Sequence, residues 1–188
     1  MTSKCYIALL RGINVGRAKR VAMADLRKLI DDLGYGDVRS VLNSGNVVFS
    51  ADGITPSLAA AAIEEQLVLK LGVAARVIVL SRDELATVLA ENTLLPVATD
   101  HSRLLVFLLA DPAARAAAAT LCEREWGSEA LAVGQRAAYV WCPQGMLDSA
   151  AATALGKQLG DNTTSRNWTT LCKLYALCSE AAPVPPGA

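Results

Sequence analysis

The chain has 188 residues, 53% hydrophobic and 19% charged, with 18 basic side chains balancing 18 acidic ones. That length suits one ordinary domain or two small ones, and the composition excludes intrinsic disorder. Zero formal net charge excludes a protein that coats nucleic acid by bulk charge alone, while leaving room for a local basic patch. Alanine supplies 33 residues, so much of the apolar content is small side chains.

No run approaches the ~18 consecutive apolar residues of a membrane span, so no membrane partner is expected. The run at 6–10 is too short for a secretory segment, and a cytoplasmic location is the expectation. Five cysteines (Cys5, Cys122, Cys142, Cys172 and Cys178) contain no C-x-x-C pair, and the single His101 cannot complete a zinc site. No metal and no cofactor is expected. The cysteines read as buried free thiols of a reducing compartment.

In chain order, residues 5–10 form a short apolar run fit for a buried strand, followed by the loop 11–16 (Arg-Gly-Ile-Asn-Val-Gly). Leu26, Leu29, Ile30 and Leu33 recur at helical spacing and Gly34 stops that helix. Residues 38–42 and 46–50 are two strands around the turn Asn43-Ser44-Gly45. Thr55 and Pro56 open a helix through Ile63 and Leu67 that Gly72 closes, and 73–80 is the fourth strand. This β-α-β-β-α-β order is the ferredoxin-like arrangement. A linking helix and loop occupy 81–102.

The second half begins the same way. Residues 103–109 are a strand, Asp111-Pro112 opens an alanine-rich helix to about Cys122, and 130–133 and 137–142 form a hairpin around Gly134-Gln135. Helices are predicted over 146–159 and 165–178, which gives β-α-β-β-α-α. The fold expected is therefore α+β: two related subdomains, 1–80 and 103–182, with antiparallel sheets covered by helices, and a tail at 183–188.

In a β-α-β-β-α-β sheet, strands one and three are central. The end of strand one and the turn between strands two and three then share an edge, which brings Arg11, Asn14, Ser44 and Asn46 together as candidate ligand-binding residues. Lys4, Arg11, Arg17, Lys19 and Arg20 all precede the first acid, Asp25. A guanidinium, two amides and a hydroxyl beside loop N–H groups suit an oxyanion such as phosphate. The hydroxyl-rich run 163–170 reads as a helix start, with Arg166, Thr169, Thr170 and Lys173 on one polar stripe. Arg166, Asn167 and Lys173 would join the site if the last helix packs against that edge. The competing reading is a solvated loop whose glycines only turn the chain, with Arg166 in an ordinary ion pair.

Other chemistry has little to stand on. Asp100, His101 and Ser102 are neighbours in sequence, and neighbours cannot form a hydrogen-bonded relay. Neither a phosphate-binding P-loop nor a dinucleotide fingerprint occurs. Tyr6 and Phe49 are too few aromatics for an RNA-stacking sheet.

The stretches IALLRGINVG (7–16), MADLRKLIDDLG (23–34), VLNSGNVVF (41–49) and SRNWTT (165–170) resemble the bacterial family catalogued as domain of unknown function 1697. The resemblance spans nearly the whole chain, with departures at Arg17, at Leu42-Asn43 and at Ser165. It implies an α+β protein of two related subdomains and implies no reaction. The function expected is a binding module for an anionic ligand, a nucleotide or a nucleic-acid phosphate, at the 11–16 edge. The alternatives are a small enzyme acting on a phosphorylated or carboxylated metabolite, with Arg11 and Arg166 as electrostatic clamps, or a protein-interaction scaffold. Whether the chain is an enzyme stays open at this point, as does its oligomeric state.

Overall fold

Strand β1 (Lys4–Leu10) is buried at every position from Tyr6 to Leu10. A strand apolar on both faces belongs in the centre of a sheet. It pairs antiparallel with β3 (Asn46–Ala51) on one side and β4 (Val77–Ser81) on the other. With β2 (Gly36–Val41) at the edge, the order is β2-β3-β1-β4. These assignments come from a computed structural model that describes residues 3–14 and 20–180. The chain divides into two compact units, Met1–Asp83 with Lys173–Ala188, and Glu84–Cys172. Among the described residues, no helix is long and apolar enough to cross a membrane.

Helices α1 (Met23–Asp31) and α2 (Pro56–Leu71) cover one face of the first sheet. There Tyr6, Ala8, Leu10, Val47 and Phe49 share a core with Leu26, Leu29, Ile30, Ile63 and Leu67. The local signals for α2 act as read: Leu58 N donates to Thr55 Oγ1, Pro56 occupies the first turn, and Gly72 closes the helix at φ 63°. The two helices are bridged at the surface by Asp32, which accepts from Lys70 (2.9 Å) and Lys28 (3.1 Å). Those bonds, Lys70's first, hold its carboxyl below the ordinary carboxylate value.

Alternation along β1 turns Cys5, Ile7 and Leu9 to the opposite face. The second half of helix α6 (Trp168–Glu180) reaches that face. Cys178 is disulfide-bonded to Cys5, and Arg39 Nη2 donates to the Leu177 carbonyl at 2.7 Å. This corrects the expectation of five free thiols. Cys122, Cys142 and Cys172 are free, while Cys5 and Cys178, 173 positions apart, are brought together by tertiary packing that no spacing rule reveals.

The second unit repeats the scheme. β5 (Leu104–Leu109), buried throughout, is central in a sheet of order β6-β7-β5-β8, with β6 (Ala130–Val133), β7 (Ala137–Trp141) and β8 (Thr163–Asn167). Helices α4 (Pro112–Ala119) and α5 (Ala150–Leu159) pack on Leu105, Phe107, Leu109, Ala138 and Val140. On the other face, the Tyr139 hydroxyl donates to the Val88 carbonyl of helix α3 (Arg82–Ala90) at 2.6 Å, and Arg136 pairs with Glu84 at 2.6 Å. Burial pushes the Tyr139 phenol well above its ordinary value.

Two expectations for this half are corrected. Thr163–Asn167 is a strand, not a helix start, so the unit is β-α-β-β-α-β followed by a helix, the same order as the first. Its hydroxyl-bearing residues pair with β5 through the backbone, Thr163 opposite Leu109 and Asn167 opposite Leu105, and β-branched threonines suit that pleated surface. Helix α5 begins at Ala150 rather than near Met146 because Ser149 caps it: Ala152 N donates to Ser149 Oγ. Glu129 completes that cap, accepting from Ser149 Oγ and from the backbone N–H groups of Ala150 and Ala151. The fold is α+β, two four-stranded antiparallel sheets with helices in two related subdomains.

Leu29, only 2% exposed, sits in the α1 stripe against the first sheet. Leu29→Ala is expected to lower the unfolding free energy by about 2–5 kcal/mol in denaturant titrations. A loss below about 0.5 kcal/mol would mean that this face is not core.

Candidate functional site

At the end of β1 the ladder continues by one bond on each side. Leu10 N donates to the Gly45 carbonyl (2.9 Å), and Arg11 N to the Arg76 carbonyl (2.8 Å). The loop after β1 therefore leaves the sheet between the β2–β3 turn and the segment that enters β4. Gly45 is required here on two grounds. Its φ is +75°, and a Cβ would stand 2.8 Å from Leu10 Cβ and from Ile13 Cδ1.

Asn14 locks the loop. It has φ 56°, a left-handed conformation that asparagine tolerates better than most residues. Its Nδ2 donates to the Val21 and Asn43 carbonyls, both at 2.8 Å, and its Oδ1 accepts from Val21 N at 2.9 Å. The bond to Asn43 ties the loop to the hairpin turn. Val15, Gly16, Arg17 and Lys19 lie outside the described residues. Asn46 is fully buried, and its Nδ2 donates to the Val41 carbonyl and to Ser44 Oγ, each at 3.0 Å.

Arg11, Asn14, Ser44 and Asn46 thus meet at one edge of the first sheet, but the two amides and the hydroxyl are engaged in building the junction. The charge there is carried by guanidiniums: Arg11 is half-buried, Arg20 exposed, and the Arg76 side chain 61% exposed at 3.4 Å from Glu64. Arg76 was not singled out by sequence. A register argument could have found it, since the residue entering an antiparallel fourth strand faces the residue leaving the first.

Arg166 and Asn167 belong to the second unit, in β8. Arg166 is not part of a helical stripe with Thr170 and Lys173, because it lies in a strand and Thr170 is buried. Arg166 Nη1 donates to Thr164 Oγ1 (2.9 Å) and to the Ser165 carbonyl (2.7 Å). Burial pulls its pKa down to about 10, which leaves it cationic at neutral pH. Asn167 caps α6, its Oδ1 accepting from Thr170 N and Oγ1 at 2.9 and 2.6 Å. Lys173 is exposed, and the first unit's share of α6 begins there.

His101 lies in an exposed one-turn 3-10 helix, its ring edge-on to Trp168 at 6.4 Å. Beside it Asp100 accepts from Ser102 Oγ and N, bonds that lower its pKa and serve a turn. Among the described residues, no three His, Cys, Asp or Glu side chains are placed to hold a metal ion. A cleft of about 450 Å³ lies at the opposite end of the first sheet, lined by Tyr35, Ser50, Asp52 and Ile54 among others. Tyr35 ends a column of stacked rings through Phe49 to Tyr6. Sequence reading did not anticipate that cleft, which is assembled from the ends of β2 and β3.

The chain belongs to the family described as "Protein of unknown function (DUF1697)", whose model matches residues 3–139. Among solved structures it is similar to the conserved bacterial protein SP0830 from Streptococcus pneumoniae. The two are 24% identical, with a TM-score of 0.76, over 94% of this chain and 99% of that one. At that identity the likeness shows a shared fold. No curated protein matches the chain.

The junction generates a stability test. Gly45→Ala combines left-handed strain with contact against Leu10 and Ile13, whereas Gly12 has φ +66° with nothing within 4 Å of a Cβ. Gly12→Ala is expected to cost about 1 kcal/mol and Gly45→Ala about 2–3 kcal/mol or more, read from urea midpoints. Equal costs at the two sites would refute the packing role of Gly45.

Proposed function

We propose that the chain is a binding module for an anionic ligand, a nucleotide or a nucleic-acid phosphate, engaged at the edge where the loop after β1 meets the β2–β3 turn. The observation that carries this reading is a division of labour. Asn14, Ser44 and Asn46 hold the two loops in one shape through bonds within the fold. Arg11, Arg20 and Arg76 supply the positive charge around it. A site held rigid before the ligand arrives loses less entropy on binding, and arginine presents a planar fork that suits phosphate oxygens. The sequence from Lys4 to Ala22 contains no carboxylate, and Glu64 lies 3.4 Å from Arg76.

Binding of this kind weakens as salt rises, because phosphate contacts release counterions. The test is a titration of nucleotides and short oligonucleotides against the wild type and Arg11→Ala, with folding checked by circular dichroism. Saturable, salt-sensitive binding that falls about tenfold or more in Arg11→Ala is expected, the scale of one charged hydrogen bond. No binding by the wild type, or equal binding by the variant, would make the loop structural only. Arg166, Asn167 and Lys173 enter the same titration as separate alanine variants.

A further inference from the structure

The first strand and the last helix are joined covalently. Cys5 and Cys178 form a disulfide with Cα atoms 5.7 Å apart, inside the range that disulfides occupy. The two residues differ in exposure, Cys5 being half-buried and Cys178 2% exposed. Polar contacts also hold the last turns of α6. Arg39 Nη2 donates to the Leu177 carbonyl at 2.7 Å, Arg82 Nε to Ser179 Oγ at 3.3 Å, and the Arg82 guanidinium lies over the Tyr175 ring at 5.2 Å. The Arg82 contacts are exposed, and exposed contacts of that kind contribute little. The disulfide is a covalent hold on a half-helix that also buries Leu174. Cys122, Cys142 and Cys172 are all free, so the molecule pairs two of its five cysteines selectively.

We propose that Cys5 and Cys178 form a reversible redox modification site, oxidised by a small disulfide of the glutathione class and reduced by a dithiol, which clamps the last turns of α6 to β1. This lies beyond the anion-binding reading and does not depend on it. In the oxidising direction, the Cys5 thiolate attacks one sulfur of the small disulfide and expels one small thiolate, which takes up a proton. The Cys178 thiolate then attacks the Cys5 sulfur of the mixed disulfide and expels the second. Two protein thiols lose two electrons and two protons, and one small disulfide becomes two small thiols. In the reducing direction, one thiolate of the dithiol attacks the sulfur of Cys5, the more exposed residue of the pair, and releases Cys178. The second thiol of the reagent then resolves the mixed disulfide, becoming a cyclic disulfide. Cys5 is the reagent-facing partner because of its exposure, and Cys178 the resolving one.

Closing a loop of this length removes much of the unfolded chain's freedom, so oxidation should stabilise as well as clamp. The experiment equilibrates the full chain in glutathione buffers from fully reduced to fully oxidised, blocks free thiols by alkylation, and reads intact mass and peptide maps. The number of blocked thiols should fall from five to three, with Cys5 and Cys178 as the protected pair. Dithiothreitol should restore all five without denaturant. Oxidised protein should melt about 5 °C or more above the reduced form, and its amide exchange over 173–180 should be slower. Cys178→Ser should abolish the two-thiol loss and Cys122→Ala should keep it. The wild-type titration decides the matter alone if Cys178→Ser does not fold. Five reactive thiols at every buffer ratio, a protected pair that includes another cysteine, or unchanged exchange over 173–180 on reduction would each overturn the proposal.

Discussion

Antiparallel sheets commonly leave one face to water, but the central strand of each sheet here is buried on both faces. Along β1 the residues facing α1 and α2 are buried, and so are Ile7 and Leu9 on the reverse. Along β5 all six residues are buried, including Leu104, Val106 and Leu108 away from α4 and α5. A sheet apolar on both faces needs a layer on each. The β-α-β-β-α-β order supplies two helices to one face only, so each unit takes in one more helix on the other. In the first unit that element is the second half of α6, held by Cys178 and by the Arg39 bond to Leu177. In the second it is α3, held by the Tyr139 bond to Val88 and the Arg136–Glu84 pair. Residues 84–90 of α3 thus count with the second unit, and 173–180 of α6 with the first.

The same constraint explains what the family-like motifs do. The loop after β1 has to leave a doubly buried strand without stranding backbone groups. Leu10 and Arg11 extend the ladder to Gly45 and Arg76, and Asn14 supplies the bonds that a continued strand would have made. Gly45 allows the turn to close on Leu10 and Ile13. Most of the motif is therefore architecture.

Much of this was legible in the sequence, for identifiable reasons. Leu26, Leu29 and Ile30 announce α1 by helical period, Thr55-Pro56 and Gly72 mark the ends of α2, and Gly45 marks its hairpin. The strand order followed from topology, and with it the meeting of the 11–14 loop and the 43–46 turn. What was missed depends on partners far away in sequence. β8 carries hydroxyls instead of alternating apolar residues and is a strand because β5 offers it backbone bonds. The start of α5 is set by Glu129, some twenty residues upstream. The pairing of Cys5 with Cys178 needs both β1 and α6 in place before any geometry exists to predict.

Two-sided burial is most directly tested at Ile7, which is fully buried on the face of β1 turned away from α1 and α2. Equilibrium unfolding of Ile7→Ala should show a loss of about 2–5 kcal/mol, the range for a core isoleucine. A loss within about 0.5 kcal/mol, as for a solvent-facing strand position, would contradict the doubly covered sheet.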